Sequence, residues 1–179
     1  MTKSEPFPRA VFETNVAVET PAGRMVVRLH QDRAPVSTRY FLDDVDRGLY
    51  ASSSIFRIVT VGNRMPGASP AIEVMQGGWR PIDLQPSIVH ETTEITGLRH
   101  RRGTISLARF RPGGVYHSFF ICFRDESVLD YGGGRHLDGQ GFAAFGDMVE
   151  GWPVLDWIRD RAEANEMLEV PISIGVVRC

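Results

Sequence analysis

The reactive side chains of this sequence do not fall at the spacings of the common catalytic motifs. His90-Glu91-Thr92-Thr93-Glu94 begins like the helix of a zinc protease, but no second histidine follows one turn on. Gly132-Gly133-Gly134 precedes no Gly-Lys-Ser/Thr and so is not a phosphate loop. The five histidines and two cysteines show no zinc spacing. His117 and Ser118 are adjacent, and neighbours on a strand point to opposite faces, which argues against a serine nucleophile beside its base. What remains is a cation, an amide and an apolar set: Arg57, Gln76, Ala108, Phe120 and Leu137. Singly, each has a bland reading: Phe120 as core, Arg57 as surface charge, Gln76 as a polar strand residue.

The elements that must position this set centre on residues 103–123. Ile105 and Leu107 alternate with polar neighbours, and Phe119 to Phe123 form a continuous apolar run. Arg109, Arg111, Pro112, Gly113 and Gly114 read as the loop between two short strands. Upstream, Phe12, Thr14, Val16 and Val18 alternate, Pro21-Ala22-Gly23 turns, and Met25, Val27 and Leu29 resume. That pattern is a hairpin with one buried face. Residues 35–47 change period. Pro35 suits a first helical position, Val36 meets Tyr40 and Phe41 meets Val45 four residues on, and Gly48 supplies the stop. Asp43, Asp44 and Asp46 are expected to face away from the core.

Further on, Ser54 to Val59 read as a strand, 60–71 as a loop rich in Gly and Pro, and 72–78 as a strand ending in two glycines. Pro81 and Pro86 make 79–98 irregular. Residues 125–141 read as a second long loop, 142–149 as a strand and 152–162 as a second helix. Leu168, Val170, Ile172, Ile174 and Val176 alternate strictly, as a closing strand does. About eight strands with hairpin-like links favour antiparallel pairing and are enough to close a barrel. The expected fold is a small antiparallel β-barrel capped by two helices, although periodicity alone does not separate barrel from sandwich. Residues 1–9, with Pro6 and Pro8, read as a loose arm.

Bulk properties bound the function. A chain of 179 residues fits one domain. Its net charge of −2 creates no global field toward nucleic acid or an anionic membrane, and Arg99-His100-Arg101-Arg102 reads as a solvated loop. Cys122 lies in an apolar run and Cys179 is the last residue, so neither suggests a disulfide framework. No apolar run approaches the ~20 residues of a membrane span, and the first residues lack an apolar leader. A cytoplasmic monomer without cofactor or metal is the expectation.

In order along the chain, the surviving residues fall into a pattern that resembles the cyclophilins, the peptidyl-prolyl isomerase family. Ile55-Phe-Arg57-Ile-Val59 is similar to their Phe-His-Arg-Val-Ile, and Met75-Gln-Gly-Gly78 to their Ile-Gln-Gly-Gly. Arg102-Gly-Thr-Ile-Ser-Leu-Ala108 is similar to Arg/Pro-Gly-Thr-Leu-Ser-Met-Ala, and Phe119-Phe-Ile121 to the end of Ser-Gln-Phe-Phe-Ile. Leu137-Asp-Gly-Gln140, Phe145-Gly146 and Val149-Glu-Gly151 complete the set. The resemblance spans 10–178 and looks most like a bacterial single-domain member. It implies a mainly β fold, a closed eight-stranded antiparallel barrel capped by two α-helices, over 10–179.

The resemblance also implies an activity: rotation about Xaa-Pro bonds in exposed protein segments, without a cofactor. Arg57 would donate to the twisted imide nitrogen, and Gln76 would orient it or bond the substrate carbonyl. Phe120 would floor a proline pocket walled by Val74 and Leu137, and backbone groups of Ala108 and Arg109 would hold the peptide extended. Ser118 and Phe142 would complete the rim. Several positions depart from the family pattern. About eleven extra residues, centred on Asn63 to Ala71, separate Arg57 from Gln76. Glu73 stands where many members carry a pocket Phe, and Ser118 replaces a Gln. His136 lies near the Trp linked to cyclosporin binding, and one added residue leaves Gly141 or Phe142 at a position that is often His or Tyr. Such a rebuilt rim lowers the expected activity and cyclosporin affinity. The alternatives are a non-catalytic module that binds Pro-containing segments, and an unrelated β-barrel hydrolase using Ser118.

Overall fold

In the computed structural model, which describes residues 14–79 and 87–179, the alternating segments become β1 (Thr14–Thr20), β2 (Gly23–Leu29), β3 (Ser53–Val59), β4 (Val74–Gly78), β5 (Thr104–Arg111), β6 (Gly114–Cys122), β7 (Ala143–Glu150) and β8 (Met167–Arg178). All neighbours pair antiparallel, and the order β1-β2-β7-β5-β6-β4-β3-β8 closes on itself as a barrel. Closure leaves no sheet edge among these strands. The expectations at 1–9, Phe12, Pro81 and Pro86 fall outside the described residues.

The barrel interior follows from strand parity. Ile105 and Leu107 of β5, Phe119 and Ile121 of β6, and Val16 and Val18 of β1 are fully buried in one cluster. Helix α1 (Pro35–Asp46) adds Phe41, whose ring meets Tyr50, Phe119 and Phe145 at centroid distances of 5.3, 5.5 and 5.2 Å. These aromatic contacts are tilted or edge-on, the arrangement that ring quadrupoles favour. Helix α3 (Trp152–Arg159) buries Leu155 and Ile158 against the same core and packs on β2.

Local chemistry sets the ends of α1. Pro35 occupies its first turn, and the Glu91 carboxylate accepts the Val36 and Ser37 N–H groups at 3.0 and 2.7 Å. A carboxylate there satisfies orphan donors and complements the helix dipole. Glu91 is therefore used in capping α1, while His90 Nε2 bonds the Gln140 and Gly141 carbonyls at 3.3 and 3.2 Å. Asp44 corrects the expected polar face. It is 2% exposed and accepts from His117 Nδ1 at 2.7 Å and Tyr50 Oη at 3.2 Å.

Three further differences have local causes. The expected loop between β5 and β6 shrinks to Pro112-Gly113, because Arg111 pairs with Gly114. Gly113 has φ +68°, and a Cβ there would lie 2.0 Å from the Ile88 carbonyl oxygen, so only glycine fits this turn. A short helix α2 (Thr93–Thr96) interrupts the expected irregular segment, capped by the Thr92 hydroxyl and ended by Gly97 in the left-handed region. Within the basic run 99–102, His100 turns inward to 1% exposure. It bonds Asp130 Oδ1 through Nδ1 at 2.8 Å and Ser106 Oγ through Nε2 at 3.0 Å.

Candidate active site

One row of paired residues crosses the outer face of the barrel wall. Arg57 of β3 faces Gln76 of β4, Gln76 faces Phe120 of β6, and Phe120 faces Ser106 of β5. A bulge at Phe56 puts Arg57 in this row. The β3 register shifts between Ile55 and Arg57 against both β4 and β8. Ile55 and Arg57 have the same parity and would share a face on a regular strand. The bulge instead leaves Ile55 and Ile58 in the core and turns Arg57 outward, the re-aiming that bulges beside sites produce.

Neighbouring side chains hold the Arg57 guanidinium on two edges. Nε and Nη2 both donate to Glu166 Oε2, at 3.0 and 2.6 Å, and Nη1 donates to Gln76 Oε1 at 3.1 Å. Gln76 is fixed in turn. Its Nε2 donates to Tyr116 Oη and Ser118 Oγ, both at 3.1 Å, and Ser118 Oγ donates to the Gly77 carbonyl at 2.9 Å. That relay sets the amide orientation: Gln76 can only present its oxygen to Arg57. Glu166 is 4% exposed in its side chain. Burial alone would raise its carboxyl pKa, but the Met65 N–H and Arg57 outweigh burial and lower it.

Beside Arg57 lies a cleft of about 130 Å³ lined by Ile72, Val74, Ala108, Phe120, Leu129 and Phe142, with Gln76, Tyr116 and three arginines at its polar side. The apolar lining belongs to a second buried cluster, separate from the barrel core. Parity on β6 explains it: Tyr116, Phe120 and Cys122 share the face opposite Phe119 and Ile121. Phe120 is 6% exposed, lies nearly parallel to His100 (16°, 5.8 Å) and meets Phe142 edge-on (88°, 5.4 Å). Arg109 forks onto Asp138 at 2.8 and 2.9 Å, donates through Nε to the Gly141 carbonyl at 2.7 Å, and lies over Phe142 at 5.0 Å. The Arg109 hydrogen bond lowers the Asp138 carboxyl to about 2.

The structure brings Arg57, Gln76, Phe120, Val74, Ala108, Arg109 and Phe142 together on this cleft. Leu137 is not among them; its side chain is fully exposed, and Leu129 and Ile72 supply apolar walls in its place. The loop 127–142 is stitched through the Arg135 N–H to the Val128 carbonyl and the Phe142 N–H to the Leu129 carbonyl, which turns Leu129 and Phe142 inward. Ser118 is 0% exposed and sits beneath Gln76 instead of on the rim. A buried hydroxyl bonded to a carbonyl is no nucleophile, so the hydrolase alternative loses its residue. Glu73 points away from the cleft, bonding Arg159 through Oε2 at 3.1 and 2.8 Å. The acid at that position thus leaves the pocket apolar.

Sequence reasoning missed Glu166, Tyr116 and Arg135. Tyr116 was accessible, since it shares parity with Phe120 on an apolar strand. Glu166 and Arg135 carry no local signal; both reach the site through distant loops.

The molecule is thus a closed antiparallel barrel that carries a buttressed arginine beside an aromatic-floored cleft on its outer wall. Comparison with known proteins gives the family. Residues 15–179 match the family model described as cyclophilin type peptidyl-prolyl cis-trans isomerase/CLD. The chain is 32% identical over 164 residues to peptidyl-prolyl cis-trans isomerase A of Dickeya dadantii, covering 88% of this chain and 77% of that protein. It is 30% identical over 145 residues to isomerase B of Escherichia coli, covering 80% and 83%. A crystal structure of a cyclophilin type isomerase from Cryptosporidium parvum superposes with a TM-score of 0.75 at 18% identity, covering 94% of this chain and 98% of that one. The chain belongs to the cyclophilin-type peptidyl-prolyl cis-trans isomerase family.

Proposed function

We propose that the protein catalyses cis-trans isomerisation of Xaa-Pro bonds in extended protein segments, with the proline ring seated on Phe120 and Phe142. The observation that carries this is the Arg57 guanidinium, fixed by Glu166 and Gln76 at the edge of an apolar cleft. The Cryptosporidium parvum relative has also been crystallised in the presence of the dipeptide Ala-Pro.

Amide resonance sets a barrier of ~18–20 kcal/mol, so uncatalysed exchange at proline takes ~10–100 s. At the twisted transition state the nitrogen lone pair is no longer conjugated and accepts a hydrogen bond that the planar states cannot use. Three of the five Arg57 N–H groups are engaged with Glu166 and Gln76. One hydrogen on Nη1 and one on Nη2 remain for that nitrogen. Because the donor is already oriented, little reorganisation is needed as the bond twists. A charge-assisted hydrogen bond of ~1.5–3 kcal/mol supplies about ten- to a hundredfold. The cleft supplies the rest by gripping the ring while the preceding carbonyl swings. Tyr116 Oη accepts from Gln76 and keeps its own hydrogen, which suits a substrate carbonyl.

NMR exchange on an Ala-Pro peptide tests the reading. Wild type should accelerate exchange, and Arg57→Ala should lose at least about tenfold of that acceleration. Equal rates for both, at background, would remove the enzyme and leave the binding module.

A further inference from the structure

Three guanidinium groups line the proline cleft, those of Arg57, Arg109 and Arg135, and no carboxylate does. Two of the three are neutralised from behind. Arg57 rests on Glu166, and Arg109 forks onto Asp138. Arg135 is different. Among the described residues no carboxylate lies within ion-pair distance of it, and its Nη1 donates to the Pro70 carbonyl at 2.9 Å. Its main chain is pinned by a 3.0 Å hydrogen bond to Val128, so the side chain is held against the cleft. Burial first, and the Arg57 cation second, push this guanidinium below its ordinary value, outweighing the more distant pull of Glu166 and Glu126. It nonetheless remains protonated at neutral pH. A half-desolvated cation of this kind gains from any carboxylate that reaches it, and Arg favours carboxylates for their matching planar geometry.

We propose that the cleft prefers segments carrying an acidic residue next to the isomerising proline, with Arg135 as the cation that selects it. This rests on the proline-cleft reading above. With Arg57 and Arg109 each paired, Arg135 is the cation of the cleft left without an ion-pair partner among the described residues, and its apolar, low-dielectric surroundings strengthen its pull on a carboxylate at the rim. Neither Glu166 nor Asp138 lines the cleft, and each is engaged by its own arginine.

The test compares blocked tetrapeptides Ala-Xaa-Pro-Ala and Ala-Ala-Pro-Xaa, with Xaa either Glu or Gln, by NMR exchange at low and moderate salt. At low salt one of the two positions should show a kcat/KM for Glu about three- to tenfold above that for Gln. The ratio should shrink as the Debye length falls from ~30 Å at 0.01 M toward ~8 Å at 0.15 M. It should collapse to one in Arg135→Gln and persist in Arg135→Lys. A ratio of one at both positions in wild type, or a preference that survives Arg135→Gln, overturns the proposal. If no peptide exchanges faster than background, the isomerase reading fails. The Glu-to-Gln affinity ratio, taken from chemical-shift titration of the same peptides, then still decides the charge preference.

Discussion

Glu166 Oε2 accepts both Nε and Nη2 of Arg57, at 3.0 and 2.6 Å, across a sequence separation of 109 residues. Its other oxygen, Oε1, accepts the Met65 N–H at 2.9 Å. One carboxylate therefore fixes the guanidinium and ties down the segment 60–71 through Met65. Asn63 reinforces the tie by donating to the carbonyls of Ile58 and Glu163, each at 2.9 Å. The insertion expected between Arg57 and Gln76 thus becomes part of the support of Arg57.

Glu166→Gln should lower kcat/KM on an Ala-Pro peptide by about tenfold, because the neutral amide holds the guanidinium less firmly. In an Arg57→Ala background the same change should have little further effect, since both act through one donor. Additive losses in that double-mutant cycle would show that Glu166 acts elsewhere.

Phe120→Ala should cost about 3–5 kcal/mol of stability, as buried aromatic truncations do, because His100 and Phe142 both lean on this ring. Peptide affinity should fall with it. Urea unfolding checks the first effect. Titration of the folded variant with a proline peptide checks the second, and unaltered affinity would contradict the floor role.

Acid should loosen the loop that walls the cleft. Asp138 is lowered to about 2 from an ordinary 3.8 by its hydrogen bond to Arg109. A carboxyl with a depressed folded-state value stabilises fully above its unfolded value and loses that contribution as pH falls through the folded one. The melting temperature should therefore drop between about pH 4 and pH 2. Glu166 and Asp130, also lowered, add with the same sign. In Asp138→Asn the Asp138 share of this slope should vanish, which a Tm-versus-pH series reads directly. An unchanged acid limb would mean that the Arg109 fork contributes nothing to folding.

Much of the barrel was legible because strand alternation is a local signal. Ile105, Leu107, Phe119 and Ile121 announce one inward face, and Val16, Val18, Val27 and Leu29 another. The apolar floor was legible for the same reason, since Phe120 sits on the opposite parity from Phe119. Asp44 and His100 were misjudged because charge predicts exposure only when no buried partner exists. Each found its charged or ionisable partner on another segment, Asp44 on His117 and His100 on Asp130.

By itself the sequence determined the strands, the capping helices, the Arg57, Gln76 and Phe120 residues and the ordered pattern that marks the family. Tertiary structure decided where these side chains point. The bulge at Phe56 turned Arg57 out of the core, and its partner Glu166 arrived only once β3 paired with β8. The loop 127–142 placed Leu129 and Phe142 in the cleft and left Leu137 in solvent. Periodicity reports the face of a residue within its own segment. Bulges, loop paths and ion pairs between distant segments are fixed by the closure of the whole barrel, and no local pattern records them.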